Sequence, residues 1–248
     1  MSDLPSTVEI HEEGPREGFQ IEPGPISTVD KVKLIDALSK TGLKHIQACS
    51  FVNPRLVPGW ADAEKVVESF HAHEDVEYTG LYFNGNGLDR ALAFKDKLTI
   101  SGSISLTASE GFTKKNLNRT HAENMAAMER HVMSHLELGI PVNRIGVMAA
   151  FGCNYQGDIS PETVIKTLED GMQIAAQTGA EITLFSLADT MGWAAPHRIE
   201  RVVGEVRNVW PDMTISLHLH DTRGLAIANA YSALKMGVRQ FDSTVGGL

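Results

Sequence analysis

A closed (β/α)8 TIM barrel is the fold class that this sequence predicts, as a single domain over residues 1–248. Three observations carry that expectation. Eight short β-branched or apolar runs recur at a regular beat along the 248 residues, with helical patterns between them. Glycines stand where helices must stop before the next strand. The segment after the first run lacks the glycine-rich turn that opens a doubly wound sheet, the rival architecture.

The strand candidates are Val8–His11, His45–Phe51, Glu77–Phe83, Leu98–Leu106, Arg144–Phe151, Glu181–Ala188, Thr214–His220 and Gln240–Val245. Several are nearly continuous apolar runs, the pattern of strands covered on both faces. Between the first two, Ser27 precedes Val32, Ile35 and Leu38 at helical spacing, with Asp30 three residues on as a capping-box acid. Ser160-Pro161 sets an N-cap before a first-turn proline, and Val164, Leu168, Met172 and Ala175 continue as one stripe. Gly42, Gly139, Gly179 and Gly237 each end a helical stretch. Alternation of this kind means parallel pairing with right-handed crossovers. The stretch Gly14-Pro15-Arg16-Glu17-Gly18-Phe19-Gln20 reads as a polar, charged loop. Only three residues follow the eighth candidate, so the helix that covers it, and the C-terminal part generally, is expected to be missing from this chain.

Composition narrows the function. A net charge of −9, from 31 acidic and 22 basic residues, argues against nucleic-acid binding. No apolar run is long enough to span a membrane, so no membrane partner is expected. Two cysteines, Cys49 and Cys153, exclude a disulfide framework and point to a reducing, cytoplasmic setting. Each reads more readily as a small buried residue than as a nucleophile. The expected assembly is a homo-oligomer.

In a TIM barrel, chemistry collects at the carboxyl ends of the strands. Ser216-Leu217-His218-Leu219-His220-Asp221 is the sharpest feature there. Residues two apart on a strand share a face, so His218 and His220 present two imidazoles together. Such a pair either binds a divalent metal or packs, hydrogen-bonded, in the core. Glu17, just past the first strand, supplies a carboxylate that would complete a shared site; alone, Arg16-Glu17 reads as a loop ion pair. Two histidines and a carboxylate suit Mg²⁺, Mn²⁺ or Fe²⁺, with Zn²⁺ also compatible. Asp189, at the end of the sixth candidate, reads equally as a base, as a group that orients a ligand, or as the N-cap of the following turn. From its place beside Glu17 at a strand mouth, Arg16→Met is expected to abolish turnover, yet with little loss of stability because the charge reads as one on a surface loop.

Six segments then occur in a recognisable order: Gly14-Pro15-Arg16-Glu17-Gly18-Phe19-Gln20, Ser50-Phe51-Val52-Asn53-Pro54, Ser109-Glu110 with Phe112-Thr113-Lys114-Lys115-Asn116, Gly152-Cys153-Asn154-Tyr155-Gln156-Gly157, Ala188-Asp189-Thr190, and His218-Leu219-His220-Asp221-Thr222. Together they resemble the 3-hydroxy-3-methylglutaryl-CoA lyases of the DRE-TIM metallolyase superfamily, from about Val8 to Leu248. The resemblance implies a TIM-barrel lyase that uses Mg²⁺ or Mn²⁺ to split a 3-hydroxyacyl-CoA, such as hydroxymethylglutaryl-CoA, into acetyl-CoA and a keto acid. It implies Glu17, His218 and His220 as metal ligands, Arg16 as the catalytic arginine facing the thioester enolate, and Asp189 as the catalytic aspartate near the substrate hydroxyl. Lys114 and Lys115 read as solvated helix charges.

The chain departs from that family in three ways. Glu17 stands where the lyases have aspartate, and in this it is similar to the homocitrate synthases. Gln47 replaces a glutamate and changes the partner of Arg16. The glycine-rich loop with a catalytic cysteine, and the asparagine ligand beyond it, have no counterpart before Leu248; Cys49 and Cys153 lie elsewhere. Two other readings therefore stand beside the lyase: an acetyl-CoA-dependent synthase that condenses a 2-oxo acid, and a catalytically silent metal-binding barrel.

Overall fold

The computed structural model describes residues 4–247 apart from Pro23 and Pro25. The chain divides into two compact units: residues 9–100 with 242–247, and residues 4–8 with 101–241. All eight expected strands form and all the pairings given below are parallel, so the strand–helix alternation is that of a (β/α)8 chain.

The first unit runs β1 (Glu9–Glu12), α1 (Gly14–Ile21), α2 (Thr28–Leu38), β2 (His45–Ser50), α3 (Ala63–Ser69), β3 (Glu77–Leu81) and α4 (Gly85–Leu92). A single 3₁₀ turn over Pro58–Trp60 precedes α3. β2 pairs with β1 on one side and β3 on the other, so His11, His45 and Glu77 lie in one cross-strand row. Ile46 and Ala48 of β2 are fully buried among Ile35, Val66, Val67 and Phe70, so one face of β2 packs on α2 and α3. Gln47, between them, points to the other face. Ser27 caps α2 as expected and accepts a hydrogen bond from Asp30 N at 3.1 Å. The Asp30 carboxylate instead receives the Ser27 hydroxyl at 2.7 Å. The reciprocal capping box lies elsewhere, where Thr120 and Glu123 open the helix His121–Glu137.

The second unit runs β4 (Gly102–Thr107), α5 (Glu110–Leu117), α6 (His121–Glu137), β5 (Val142–Met148), α7 (Pro161–Thr178), β6 (Leu184–Ala188), α8 (Pro196–Val209), β7 (Thr214–His218), α9 (Ala226–Lys235) and the start of β8 (Gln240–Ser243). Parallel register sorts the side chains of this sheet into rows. Ile104, Ile145, Phe185 and Ile215 stand side by side, and Leu106, Val147, Leu187 and Leu217 form the next apolar row. All eight are essentially inaccessible, each worth roughly 1.5–3 kcal/mol. The intervening row is Ser105, Gly146, Ser186, Ser216 and Gln240. The strands are thus not continuously apolar. One face is a hydrocarbon layer against the helices, where Gly171 of α7 lets Ile145 approach, and the other is small and polar.

Gly139, Gly179 and Gly237 take positive φ, from 71° to 81°, and end α6, α7 and α9 in the left-handed conformation that suits glycine, whereas Gly42, at φ +92°, stands in the turn beyond α2, whose C-cap is Ser39. The β8 end returns to the first unit, where Ser243 O accepts from Glu13 N at 2.7 Å. Beside it the buried Glu12 carboxylate accepts from Gly14 N at 2.7 Å and Val245 N at 3.0 Å. Burial raises the pKa of Glu12 and these two N–H groups oppose the rise. A Cβ on Gly14 would stand 2.4 Å from that carboxylate oxygen. Gly14→Ala is expected to destabilise the chain by about 1–3 kcal/mol, because disturbing two buried hydrogen bonds outweighs the gain of at most ~1 kcal/mol in helix propensity. Urea unfolding monitored by circular dichroism measures it.

Candidate functional site

The singled-out residues fall into two groups, one in each compact unit. The first is built on the end of β1. Arg16 and Glu17 sit in the first turn of a helix, α1, and not in a loop. Glycines at 14 and 18 hide this helix from propensity, while Pro15 in the first turn presets its entry. The Arg16 guanidinium donates through Nε to Gln47 Oε1 and through an η-nitrogen to Glu13. Glu17 lies 3.3 Å away on the same η-nitrogen. Only 11% of the Arg16 side chain is exposed, and 8% of that of Glu13. Trp60, fully buried, donates its indole N–H to the Arg16 carbonyl at 3.1 Å and fixes the turn from beneath. The buried Lys31 ammonium lies over the Trp60 ring at 4.6 Å and pairs with Asp62 at 2.5 Å. Arg16 is therefore a clamped, largely desolvated cation, and the expectation that its loss would cost little stability, as for a surface-loop charge, does not fit this burial. Removing it leaves a buried carboxylate, Glu13, without its guanidinium, a loss on the order of 3 kcal/mol. Sequence reading missed Glu13; the signal was its i,i+3 spacing to Arg16.

The second group lies at the ends of β6 and β7. β7 stops at His218, so His220 stands two residues past the strand rather than on it. The two half-buried imidazoles still meet, edge to face, with ring centres 5.0 Å apart. His218 occupies the small polar face, two residues on from Ser216, and its carbonyl accepts from Asp189 N at 2.8 Å. Asp189 is 1% exposed. Its Oδ1 accepts from Ala194 N at 2.8 Å, so it does cap the following turn, and its Oδ2 is buried with no hydrogen-bond partner among the described residues. Desolvation pushes its pKa up to about 6, against the lowering pull of the Ala194 and Trp193 N–H groups, Arg223 and His218. Thr190 Oγ1 accepts from Ala149 N at 2.8 Å and holds Ala149 at φ +55°, a conformation non-glycine residues rarely adopt.

Two of the recognisable segments interlock here, with Trp193 packed against them. Gln156 Oε1 accepts from the Ser109 hydroxyl at 3.2 Å at the start of α5, and Asn154 Oδ1 accepts from Trp193 Nε1 at 2.6 Å. Gly152, at φ +145°, leaves room for the Trp193 ring, which a Cβ would meet at 2.7 Å. Cys153 is buried and accepts from Ser109 Oγ at 3.0 Å. Burial drives the Cys49 thiol far above its ordinary pKa, so it is no nucleophile. Lys114 and Lys115 are exposed, as expected.

Known proteins resemble this chain in sequence and fold. The HMGL-like family model matches residues 7–248. The chain belongs to the HMGL-like family. Hydroxymethylglutaryl-CoA lyase of Bacillus subtilis is 36% identical over 244 residues, covering 98% of this chain and 78% of that protein. The crystal structure of the Bacillus subtilis HMG-CoA lyase superposes with a TM-score of 0.88 at 35% identity, over 100% of this chain and 80% of that one. An HMG-CoA lyase from Acinetobacter baumannii, solved with coenzyme A and 3-methylmalate, gives a TM-score of 0.84 at 32% identity, over 100% of this chain and 78% of that one. The TIM-barrel fold class of the family is thus that of this chain. Among the described residues no helix is long and apolar enough to cross a membrane.

The Asp189 shift sets a pH dependence. The carboxyl binds its proton more tightly folded, pKa about 6, than unfolded, 3.8. Its contribution to stability is therefore fully present below pH 4 and is lost as pH rises through 6, on the order of 3 kcal/mol in all. Asp189→Asn keeps the Oδ1 acceptor and has no charge to bury. In chelator-treated protein, its stability relative to the parent should rise between pH 4 and 6; denaturant midpoints across that range measure the slope.

Proposed function

We propose that the chain is a metal-dependent carbon–carbon lyase that cleaves 3-hydroxy-3-methylglutaryl-CoA to acetyl-CoA and a keto acid. One observation carries the reading: a guanidinium held on three fixed side chains, Glu13, Glu17 and Gln47, at the first turn of the helix after β1. A cation locked in this way cannot follow solvent, so it presents a fixed field to an oxygen on which charge develops.

Cleavage removes a proton from a tertiary alcohol and breaks the bond between carbons 2 and 3. The electron pair of that bond becomes the thioester enolate, and the alcohol carbon becomes the ketone. In this reading Arg16 faces the thioester oxygen and stabilises it as its charge grows. Asp189 takes the hydroxyl proton; a carboxylate that titrates near 6 is ionised at neutral pH, yet basic enough to hold the proton. The enolate carbon takes up a proton to give acetyl-CoA.

Glu17, His218 and His220 are the ligands we assign to one Mg²⁺ or Mn²⁺. The donor chemistry fits: two imidazoles meet at 5.0 Å past the end of β7, and Glu17 is a carboxylate beside a fixed cation. When bound, such an ion lowers the pKa of the substrate hydroxyl. Two buried free cysteines agree with a reducing, cytoplasmic setting.

Gln47 supports a second reading, the reverse condensation of acetyl-CoA with a 2-oxo acid, since a neutral amide in place of a carboxylate leaves more of the Arg16 charge for an anionic substrate. Supplying each substrate set with Mn²⁺ separates the two: the lyase releases acetyl-CoA from hydroxymethylglutaryl-CoA, and the synthase releases free CoA. Arg16→Lys, which keeps charge but loses the planar fork, should lower kcat about 10³-fold with a smaller change in KM. Arg16→Met should be inactive and less stable by about 3 kcal/mol. Steady-state kinetics and urea unfolding measure these effects; wild-type turnover by either variant removes Arg16 from the mechanism.

A further inference from the structure

The amino-terminal ends of β1, β2 and β3 carry a second cluster of ligating groups. Glu9 and His11 are two apart on β1 and share its face, and His45 opens β2 directly opposite His11. All lie on the face that carries Gln47, away from the Ile46 and Ala48 layer. Glu9 Oε1 is 2.8 Å from His11 Nε2 and 2.8 Å from His45 Nε2. The two rings lie 4.3 Å apart and are tilted by 30°. Glu77, at the start of β3, reaches His45 Nδ1 at 3.4 Å. All four residues sit between a quarter and two fifths exposed, within reach of solutes.

The geometry of this cluster is that of a ligand set. Glu9 Oε1 is the shared neighbour of both imidazoles, each of which brings its Nε2 to within 2.8 Å. Two ring nitrogens and a carboxylate oxygen gathered about one point are donors that suit a divalent cation. Glu77 stands on the other ring nitrogen of His45, where a carboxylate orients a ligating histidine toward a metal.

We propose that Glu9, His11 and His45 form a divalent-cation site of the zinc class, with Glu77 orienting His45. Two imidazoles, one carboxylate and a water give the four donors that zinc favours, with bonds of about 2.0–2.2 Å. Donors around such an ion stand about 3.3–3.4 Å apart. The three here lie within 4.8 Å of one another, and small side-chain rotations bring them to that spacing. The site is independent of the catalytic reading: none of its residues serves Arg16, Glu17, Asp189, His218 or His220. It ties the starts of β1 and β2 together, so its occupancy stabilises the fold and takes no part in turnover.

Equilibrium dialysis against Zn²⁺, followed by elemental analysis, tests the assignment. The unaltered chain should hold one more zinc per chain than the His11→Asn/His45→Asn variant. Glu77→Gln should keep that stoichiometry and weaken the site about 10–100-fold. Equal zinc content in the unaltered chain and the double variant overturns the proposal, whatever the lyase assay gives. Circular dichroism establishes first that the double variant is folded; if it is not, His11→Asn alone carries the comparison. Independently, saturating Zn²⁺ should raise the thermal midpoint of the unaltered chain and shift the ring-proton NMR signals of His11 and His45. Unmoved signals mean that a proton alone fills the cluster, and the proposal fails.

Discussion

A β-strand has a period of two, and nearly everything of interest here follows from it. Once Ile104, Ile145, Phe185 and Ile215 are committed to the helix layer, the residues between them must face the other way. The hydrophobic layer sets the register, because a slip of one residue would turn every strand inside out. Register in turn sets where each functional side chain emerges. His218 follows Ser216 on the polar face, and Gln47 takes the same role on β2, opposite to Ile46 and Ala48. The cluster of Glu9, His11 and His45 obeys the same parity at the other end of its strands.

Charge burial takes two contrasting forms in the residues that carry the proposed chemistry. Arg16 is compensated: its guanidinium donates to Glu13 and Gln47 and ion-pairs with Glu17, and Trp60 and Lys31 brace the turn that holds it. Its position is over-determined, as a fixed electrostatic element should be. Asp189 is left short. One oxygen caps a turn and the other is buried with no hydrogen-bond partner among the described residues, and desolvation raises the affinity of the group for a proton toward neutrality. Burial with charged partners and burial without them thus give opposite electrostatic outcomes in one chain.

Much of this was legible in the residues. Every strand is visible as a β-branched or apolar run, and Gly139, Gly179 and Gly237 end their helices in the left-handed conformation that their position demands, while Gly42 takes it in the turn beyond α2. Six short segments in order carried the family resemblance. The failures were local and have physical causes. α1 was read as a loop because two glycines and a proline mask a helix that tertiary contacts hold. Strand ends were misplaced where apolar residues continue past the last ladder hydrogen bond, as at Leu219. The capping box was assigned to Ser27 and Asp30, although only Glu123 has the longer arm that reaches back to the cap backbone.

The sequence by itself determined the strand–helix alternation, the facing of each strand, and the chemical types available at strand ends, because these depend on neighbours a few positions apart. Tertiary structure decided which of those groups act on one another. Arg16 and Gln47 are 31 residues apart, and the Trp60 indole that steadies Arg16 is 44 away. No local pattern encodes such a meeting. The elevated pKa of Asp189 likewise comes from the water that packing excludes, and the convergence of His11 and His45 on one carboxylate comes from the register of two strands. Local sequence selects conformations; only packing sets distances and solvation, and those turn a list of polar residues into chemistry.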